Sequence, residues 1–245
     1  MDQEHSNRLT TIQQQVKNHS LDALIISDKA SIDYYTGVIF DPMERFWLLI
    51  IQPEKGPQII ANKLFVFDEL AEIDVTWVDD NYTIAEAFAN LANFPATNAP
   101  LRIGVDKLWR ADQLLALAKT YNQATFEVGS DLVDAQRAIK TAEEQEKMRK
   151  ASDINDRAMA RLIEEVLPLG LDELAAVDKL ARIYDEEGAD AGFSFEPIIA
   201  YGPNGADPHH ESDHTLPKRG DSIVIDIGCK HEEYCSDMTR TVYYG

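Results

Sequence analysis

Two aspartates, Asp226 and Asp237, stand eleven positions apart in segments that both alternate in strand fashion. The segments are Ser222-Ile223-Val224-Ile225-Asp226-Ile227-Gly228 and Cys235-Ser236-Asp237-Met238-Thr239-Arg240-Thr241. Aspartate is disfavoured in strand interiors, and Ile225 and Ile227 flank Asp226 closely. A capping or edge-strand role would explain either acid taken singly. An antiparallel hairpin with Asp226 directly opposite Asp237 would centre its turn on His231-Glu232. Directly opposed Cβ atoms would then lie about 4.5–5.5 Å apart on one face. Two carboxylates that close repel unless a cation joins them. A hard divalent metal, or a pair of metals about 3.5–4 Å apart, is the fitting cation.

Four of the six histidines fall in the same stretch: His209, His210, His214 and His231. The segment Gly202-Pro203-Asn204-Gly205-Ala206-Asp207-Pro208-His209-His210 is rich in turn formers, with the histidine pair at its end. A histidine in a polar loop is usually a solvated side chain. The nearby acid pair adds a second reading, because a neutral imidazole can donate a hydrogen bond to a developing oxyanion. Cys229 and Cys235 are the two cysteines of the chain and flank the expected turn. A cross-strand disulfide is one reading of the pair, and a reduced pair in a cytoplasmic protein is the preferred one, since no secretion signal is visible.

At 245 residues and 44% hydrophobic content, the chain can build one large or two ordinary domains with sizeable cores. Its formal net charge of −20 argues against a nucleic-acid backbone as partner, since that needs clustered Lys and Arg. The charge is spread along the chain and reads as a soluble acidic surface. The longest strongly apolar run, residues 46–51, is too short to cross a bilayer, so no membrane partner is expected.

The elements that must position the acids fall into two blocks. Residues 1–131 alternate helix and strand signals and predict an α/β domain with a parallel or mixed sheet. Helices are expected with Leu9, Ile12 and Val16 on one face, over Thr83 to Ala92, and over Ala111 to Tyr121. Strands are expected at Leu24 to Ile26, Phe46 to Ile51, Gln58 to Ile60, Val75 to Val78, Leu101 to Val105 and Thr125 to Val128. No glycine-rich phosphate loop opens any of these helices, so nucleotide binding has little support.

Residues 132–245 predict an α+β domain. A long helix runs from Ala138 to Val166, with Met148, Ala151, Ile154, Ala158, Leu162 and Val166 on its apolar face. A second covers Asp172 to Glu187, with Leu174, Val177, Leu180 and Tyr184 inward, stopped by Gly188. Strands follow at Pro197 to Tyr201, Ser222 to Gly228 and Tyr234 to Tyr243. With so few strands around the acid pair, this second domain reads as cut off before its end.

The residues around the acids resemble those of the creatinase/prolidase-type pita-bread metallopeptidases. The likeness is strongest in Val224-Ile225-Asp226-Ile227-Gly228, Ser236-Asp237-Met238-Thr239-Arg240-Thr241 and Gly202-Pro203-Asn204 through Pro208-His209. It extends to Arg137-Ala138-Ile139-Lys140-Thr141, Glu143-Glu144, Met148-Arg149-Lys150-Ala151 and, in the first block, Asp33-Tyr34-Tyr35-Thr36-Gly37. Bacterial Xaa-Pro dipeptidases are the branch it resembles best.

The resemblance implies a creatinase/prolidase N-terminal α/β domain followed by part of a pita-bread catalytic domain. It implies two divalent metal ions, Mn first, with Co, Zn or Fe as alternatives. Asp226 would bind one metal and Asp237 would bridge both, as the first two of five ligands. The other three, a histidine and two glutamates, would lie further along a longer chain. His209 would contact substrate near the scissile carbonyl. The implied activity is hydrolysis of Xaa-Pro dipeptides by a homodimer. An Xaa-Pro aminopeptidase is the alternative enzyme, and a catalytically dead, peptidase-like binding module is the alternative of another class.

Overall fold

The computed structural model describes residues 3–67, 70, 73–92 and 94–245. The chain divides into two compact units, Met1–Ile139 and Lys140–Gly245. The division therefore follows Ile139, later than the expected boundary at Asp131.

The first unit is built on a six-stranded mixed sheet in the order β4-β3-β2-β1-β5-β6. Its strands are β1 (Ala23–Ile26), β2 (Trp47–Ile51), β3 (Gln58–Asn62), β4 (Asp74–Val78), β5 (Arg102–Val105) and β6 (Thr125–Val128). β1 pairs antiparallel with β2 and parallel with β5. β1, β2 and β3 are buried at every position. The unbroken apolar runs of β1 and β2 fit strands covered on both faces, and β3 also buries Gln58 and Asn62 at its ends. Alternation divides the core. Leu24, Ile26, Leu49 and Ile59 join Leu9, Ile12 and Val16 of α1 (Gln3–Asn18) on one side. Ile25, Leu48, Ile50 and Ile60 join Phe88 of α3 (Ile84–Ala89) and Leu117 of α4 (Ala111–Thr120) on the other.

Two helices went unread in the sequence, α2 (Lys29–Thr36) and α5 (Ser130–Ala138). The Asp33-Tyr34-Tyr35-Thr36-Gly37 segment is thus the end of α2 and its left-handed cap, with Gly37 at φ 71°. Asp28 caps α2 by accepting from Ser31 N at 3.0 Å.

The second unit starts with α6 (Ala142–Arg161), shorter at its start than the expected helix from Ala138. Thr141 and Glu144 close a capping box there, Thr141 N donating to Glu144 Oε2 at 2.7 Å. The last expected turn of that helix is a π-helical segment, Leu162–Val166. Ala151, Ile154, Ala158, Leu162 and Val166 are buried as expected, but Met148 is 36% exposed. α7 (Glu173–Glu187) buries Val177, Leu180 and Tyr184 and ends at Gly188 in the left-handed region. Leu174, expected inward, lies at the surface, and its neighbour Glu173 is fully buried in its place.

Both helices pack on one face of a three-stranded antiparallel sheet ordered β11-β8-β7. Its strands are β7 (Ile198–Tyr201), β8 (Ser222–Ile227) and β11 (Met238–Tyr243). Ile223, Ile225 and Ile227 of the central strand fill the core beneath the helices, so Val224 and Asp226 point to the opposite face. The structure splits the expected strand over Tyr234 to Tyr243. A two-stranded tip, β9 (Lys230–His231) with β10 (Tyr234–Cys235), precedes β11.

Among the described residues no helix is long and apolar enough to cross a membrane. Ile225 is fully buried in the middle of the central strand. Ile225→Ala should lower unfolding free energy by about 2–5 kcal/mol. Urea denaturation checks this, and a loss below about 1 kcal/mol would mean the helices do not pack there as described.

Candidate metal centre

The register of the acid-bearing hairpin differs from the expected one. Thr239 stands opposite Asp226, and Met238 opposite Ile227. His231 pairs with Tyr234, so the turn is Glu232-Glu233 and not His231-Glu232. Both turn residues have positive φ, 47° and 66°, as a two-residue type I′ loop needs. Glutamates are unusual there, and Asp190 supports the first of them by accepting from Glu232 N at 3.0 Å. Asp226 and Asp237 are therefore not directly opposed. Asp237 lies one residue before β11, and if the strand alternation extended to it, it would be the diagonal neighbour of Asp226. Diagonal neighbours are separated by about 7–8 Å, wider than an opposed pair.

A local bond holds Asp226, and among the described residues none holds the Asp237 carboxylate. Asp226 Oδ1 accepts from Thr239 Oγ1 at 2.7 Å, the partner that makes an aspartate tolerable inside a strand. Beneath it, Asn155 Nδ2 donates to Ile227 O at 3.1 Å, and Asn155 is held by Tyr184 OH at 2.6 Å. Burial pushes the Tyr184 hydroxyl far above its ordinary pKa, which keeps it a donor. Asp237 is exposed, and its carboxylate makes no hydrogen bond or ion pair with the described residues.

The residue before Asp237 is the anchor. Ser236 is buried, its N donates to Cys229 O at 2.9 Å, and its Oγ accepts from Cys229 N at 3.0 Å. Ser236 O accepts from Ser194 Oγ at 2.8 Å. Gly228 fits where nothing larger could, since a Cβ there would lie 2.2 Å from both Ser194 Oγ and Ser236 O. Cys229 is buried and Cys235 exposed, and both are free thiols.

His209 rides on the connection from β7 to β8 and is exposed. Its backbone N donates to Asp207 Oδ1 at 2.9 Å. The loop begins with a 3-10 turn, Gly202–Ala206, and is tied to the start of α7 by Glu173. Glu173 Oε1 accepts from Tyr201 N at 2.8 Å and Asn204 Nδ2 at 3.0 Å. Glu173 Oε2 accepts from His210 Nε2 at 2.7 Å and Asp213 N at 2.9 Å.

Glu173, His210 and Asp213 bring ligand-type atoms within 4.8 Å of one another, the one such group of three or more among the described residues. Their chemistry fits a structural clamp better than a metal. Four donors occupy the four lone-pair positions of Glu173, and Asp213 Oδ1 accepts from Thr215 N at 2.7 Å. Sequence reasoning missed Glu173, and it named His210 only as one of the clustered loop histidines. An acid in the first turn of a helix reads as an ordinary dipole partner, and the loop's return onto it carries no local signal. Asp226, Asp237 and His209 form no comparable convergent set.

The described geometry is an α/β domain followed by a helix-backed antiparallel sheet that carries Asp226 on β8, with Asp237 just before β11. The chain belongs to the creatinase/prolidase metallopeptidase family: residues 8–139 match the creatinase/prolidase N-terminal domain, and residues 146–245 match metallopeptidase family M24. Among solved structures it is similar to a prolidase from Thermococcus sibiricus, at 27% identity and a TM-score of 0.85, covering 100% of this chain and 67% of that one. It is also similar to a dipeptidase from Pyrococcus horikoshii, at 29% identity and a TM-score of 0.82, covering 97% of this chain and 65% of that one. Curated relatives include an uncharacterized peptidase of Staphylococcus aureus, 26% identical over 238 residues, which are 97% of this chain and 66% of the relative. The chain thus spans slightly less than two thirds of the length of the curated relatives it matches.

Two predictions follow from this geometry. Gly228→Ala must displace Ser194 or Ser236, and should cost about 1–3 kcal/mol as overpacking does. In amide spectra the largest shifts should fall at Ser236 and Asp237, and unmoved signals there would refute the close contact.

The second concerns His214, whose Nδ1 lies 2.9 Å from Asp172 Oδ2 at the cap of α7. The Asp172 hydrogen bond holds the His214 imidazole above its ordinary pKa, and His214 in turn holds Asp172 below the usual carboxylate range. The raised imidazole contributes stability fully below its unfolded value of about 6.5 and loses it as pH rises through the folded value. The depressed carboxylate contributes above about 3.8 and loses its share as pH falls through its folded value. Proton NMR titration of His214 should show a lower midpoint in Asp172→Asn than in the native chain, and equal midpoints would contradict the pairing.

Proposed function

We propose that this chain provides the proline-peptidase chemistry of its family, cleavage of Xaa-Pro dipeptides, with Asp226 and Asp237 as metal ligands and His209 as the substrate-contacting histidine. The observation that carries this is Asp226 on the core-averted face of β8 with Asp237 one residue before its partner strand β11, both within the residues matching metallopeptidase family M24. The donor set fits a divalent metal. The Thr239 bond fixes the Asp226 carboxylate and leaves Oδ2 to a cation, and the Asp237 carboxylate is uncommitted among the described residues. All-oxygen donors on a fixed strand pair suit Mn first, then Co, Zn or Fe. Two aspartates are fewer ligands than such an ion takes, and the remaining ones are assigned to the length that the relatives have in addition.

When bound, divalent metal supplies a Lewis acid and an activated water at neutral pH. The protein's own residues do the rest. Asp226 and Asp237 fix where positive charge sits. His209, exposed on its tethered loop, offers an N–H to the carbonyl oxygen before proline as that oxygen gains charge. The peptide nitrogen of proline carries no hydrogen, so recognition of the bond must rely on its carbonyl and on the ring. A cytoplasmic setting and a homodimer belong to the same proposal. The two free thiols agree with a reducing compartment, and the dimer rests on the family resemblance.

Calorimetry with Mn on the 245-residue chain, and hydrolysis of Xaa-Pro dipeptides and tripeptides by a chain of the relatives' length, test the proposal together. Asp226→Asn and Asp237→Asn should each weaken Mn binding at least about tenfold, since even partners of metal ligands cost about 10–100-fold when lost. Dipeptides should be cleaved in preference to tripeptides. Preferred cleavage of tripeptides would indicate an aminopeptidase. Absence of hydrolysis with any divalent metal would indicate a binding module.

A further inference from the structure

We propose that Glu173 is the positioning residue for His209. The inference rests on the reading of His209 as the substrate-contacting histidine, and concerns what holds that histidine in place. Glu173 is fully buried at the first turn of α7, in an enzyme unit whose acids otherwise lie at or near the surface except Glu144. A buried carboxylate is costly unless every lone pair is used, and here four donors use them. Those donors come from both sides of His209 in the chain. Tyr201 N and Asn204 Nδ2 lie upstream, at 2.8 and 3.0 Å. His210 Nε2 and Asp213 N lie downstream, at 2.7 and 2.9 Å.

One carboxylate thus closes the loop on both flanks of the residue it presents. The nearest tether, His210, is the next residue in the chain, and a trans peptide sets their Cα atoms about 3.8 Å apart. The remaining bonds of the loop have the same effect. Leu174 N donates to Asp213 O at 3.1 Å and Glu173 N to Thr215 O at 3.2 Å, so the start of α7 also clasps the descending strand of the loop. His210 N donates to Asp207 O at 3.2 Å, which closes the turn under His209. His209 itself stays at the surface while its neighbour turns inward, with the His210 side chain 13% exposed. The second histidine of the pair is therefore a strut, and the first is free for chemistry.

The test compares the native 245-residue chain with Glu173→Gln, His210→Leu and His210→Gln. Glutamine in place of Glu173 keeps the shape but sets an NH2 group against two of the donors. In Glu173→Gln, amide exchange at Tyr201 and Asp213 should rise about tenfold or more, the shift expected when a hydrogen bond to a charged group is lost. Amides in the middle of α6 and α7 should hold. With added Mn, the ring signal of His209 should broaden in the native chain together with the Thr239 amide. In Glu173→Gln and His210→Leu the His209 broadening should be lost while that of Thr239 remains. His210→Gln, which can donate to Glu173, should restore it.

Unchanged exchange at Tyr201 and Asp213, or His209 broadening equal in all four proteins, would overturn the inference. So would a uniform rise in exchange across α6 and α7, which would make Glu173 a general support of the unit. If Glu173→Gln does not fold, His210→Leu carries the same two readouts. Absence of broadening at both Thr239 and His209 in the native chain would refute the metal reading. The inference is then decided by exchange together with the His209 ring line, which should change in His210→Leu and return in His210→Gln.

Discussion

The structure of the candidate site depends on the mutual bonding of Cys229 and Ser236. Their backbone and hydroxyl bonds, at 2.9 and 3.0 Å, bridge the gap between the main sheet and the β9-β10 tip. They set the register of everything that follows in the chain. A slip of one residue would turn Asp237 and Thr239 to the helix side and bring Met238 out, because side chains alternate along a strand. The fit of Gly228 against Ser194 and Ser236 makes the lock steric as well as polar. The junction thus fixes where Asp237, one residue before β11, stands relative to Asp226 on β8.

The same junction ties the site to the core. Ile223, Ile225 and Ile227 anchor β8 beneath the helices, and Asn155 reaches from α6 to Ile227 O with Tyr184 behind it. Packing and polar contacts therefore converge on the strand that carries Asp226. The His209 loop is held by a different device, a buried carboxylate at the start of α7. Asp226 thus sits on a packed strand, Asp237 at the junction leading into β11, and the histidine on a tethered loop, so acids and histidine can be perturbed separately.

Much of this was legible in the sequence where a local pattern decides the outcome. The 3.6-residue spacing of Leu9, Ile12 and Val16 and the unbroken run from Trp47 to Ile51 translate directly into a packed helix and a doubly covered strand. Asp226 between two isoleucines was a visible anomaly, and the structure gives it Thr239 as partner. The register was not legible, because Glu232 and Glu233 are poor matches to the glycine and asparagine that mark type I′ turns. Glu173 and Leu174 exchanged their expected places for a related reason. Helical periodicity favours burying the leucine, while the loop's donors, brought together by tertiary folding, require the glutamate inside. The start of the long helix moved to Ala142 because the Thr141–Glu144 box is a stronger signal than continuing amphipathic character.

The central claim is that the acid pair, and not the Glu173 group, is the metal centre. The most direct measurement is a crystal structure grown with Mn and phased at the manganese absorption edge. The account predicts an anomalous peak within about 2.0–2.6 Å of a carboxylate oxygen of both Asp226 and Asp237, the range of divalent cation–oxygen bonds. A peak among Glu173, His210 and Asp213, with none at the aspartates, would contradict it.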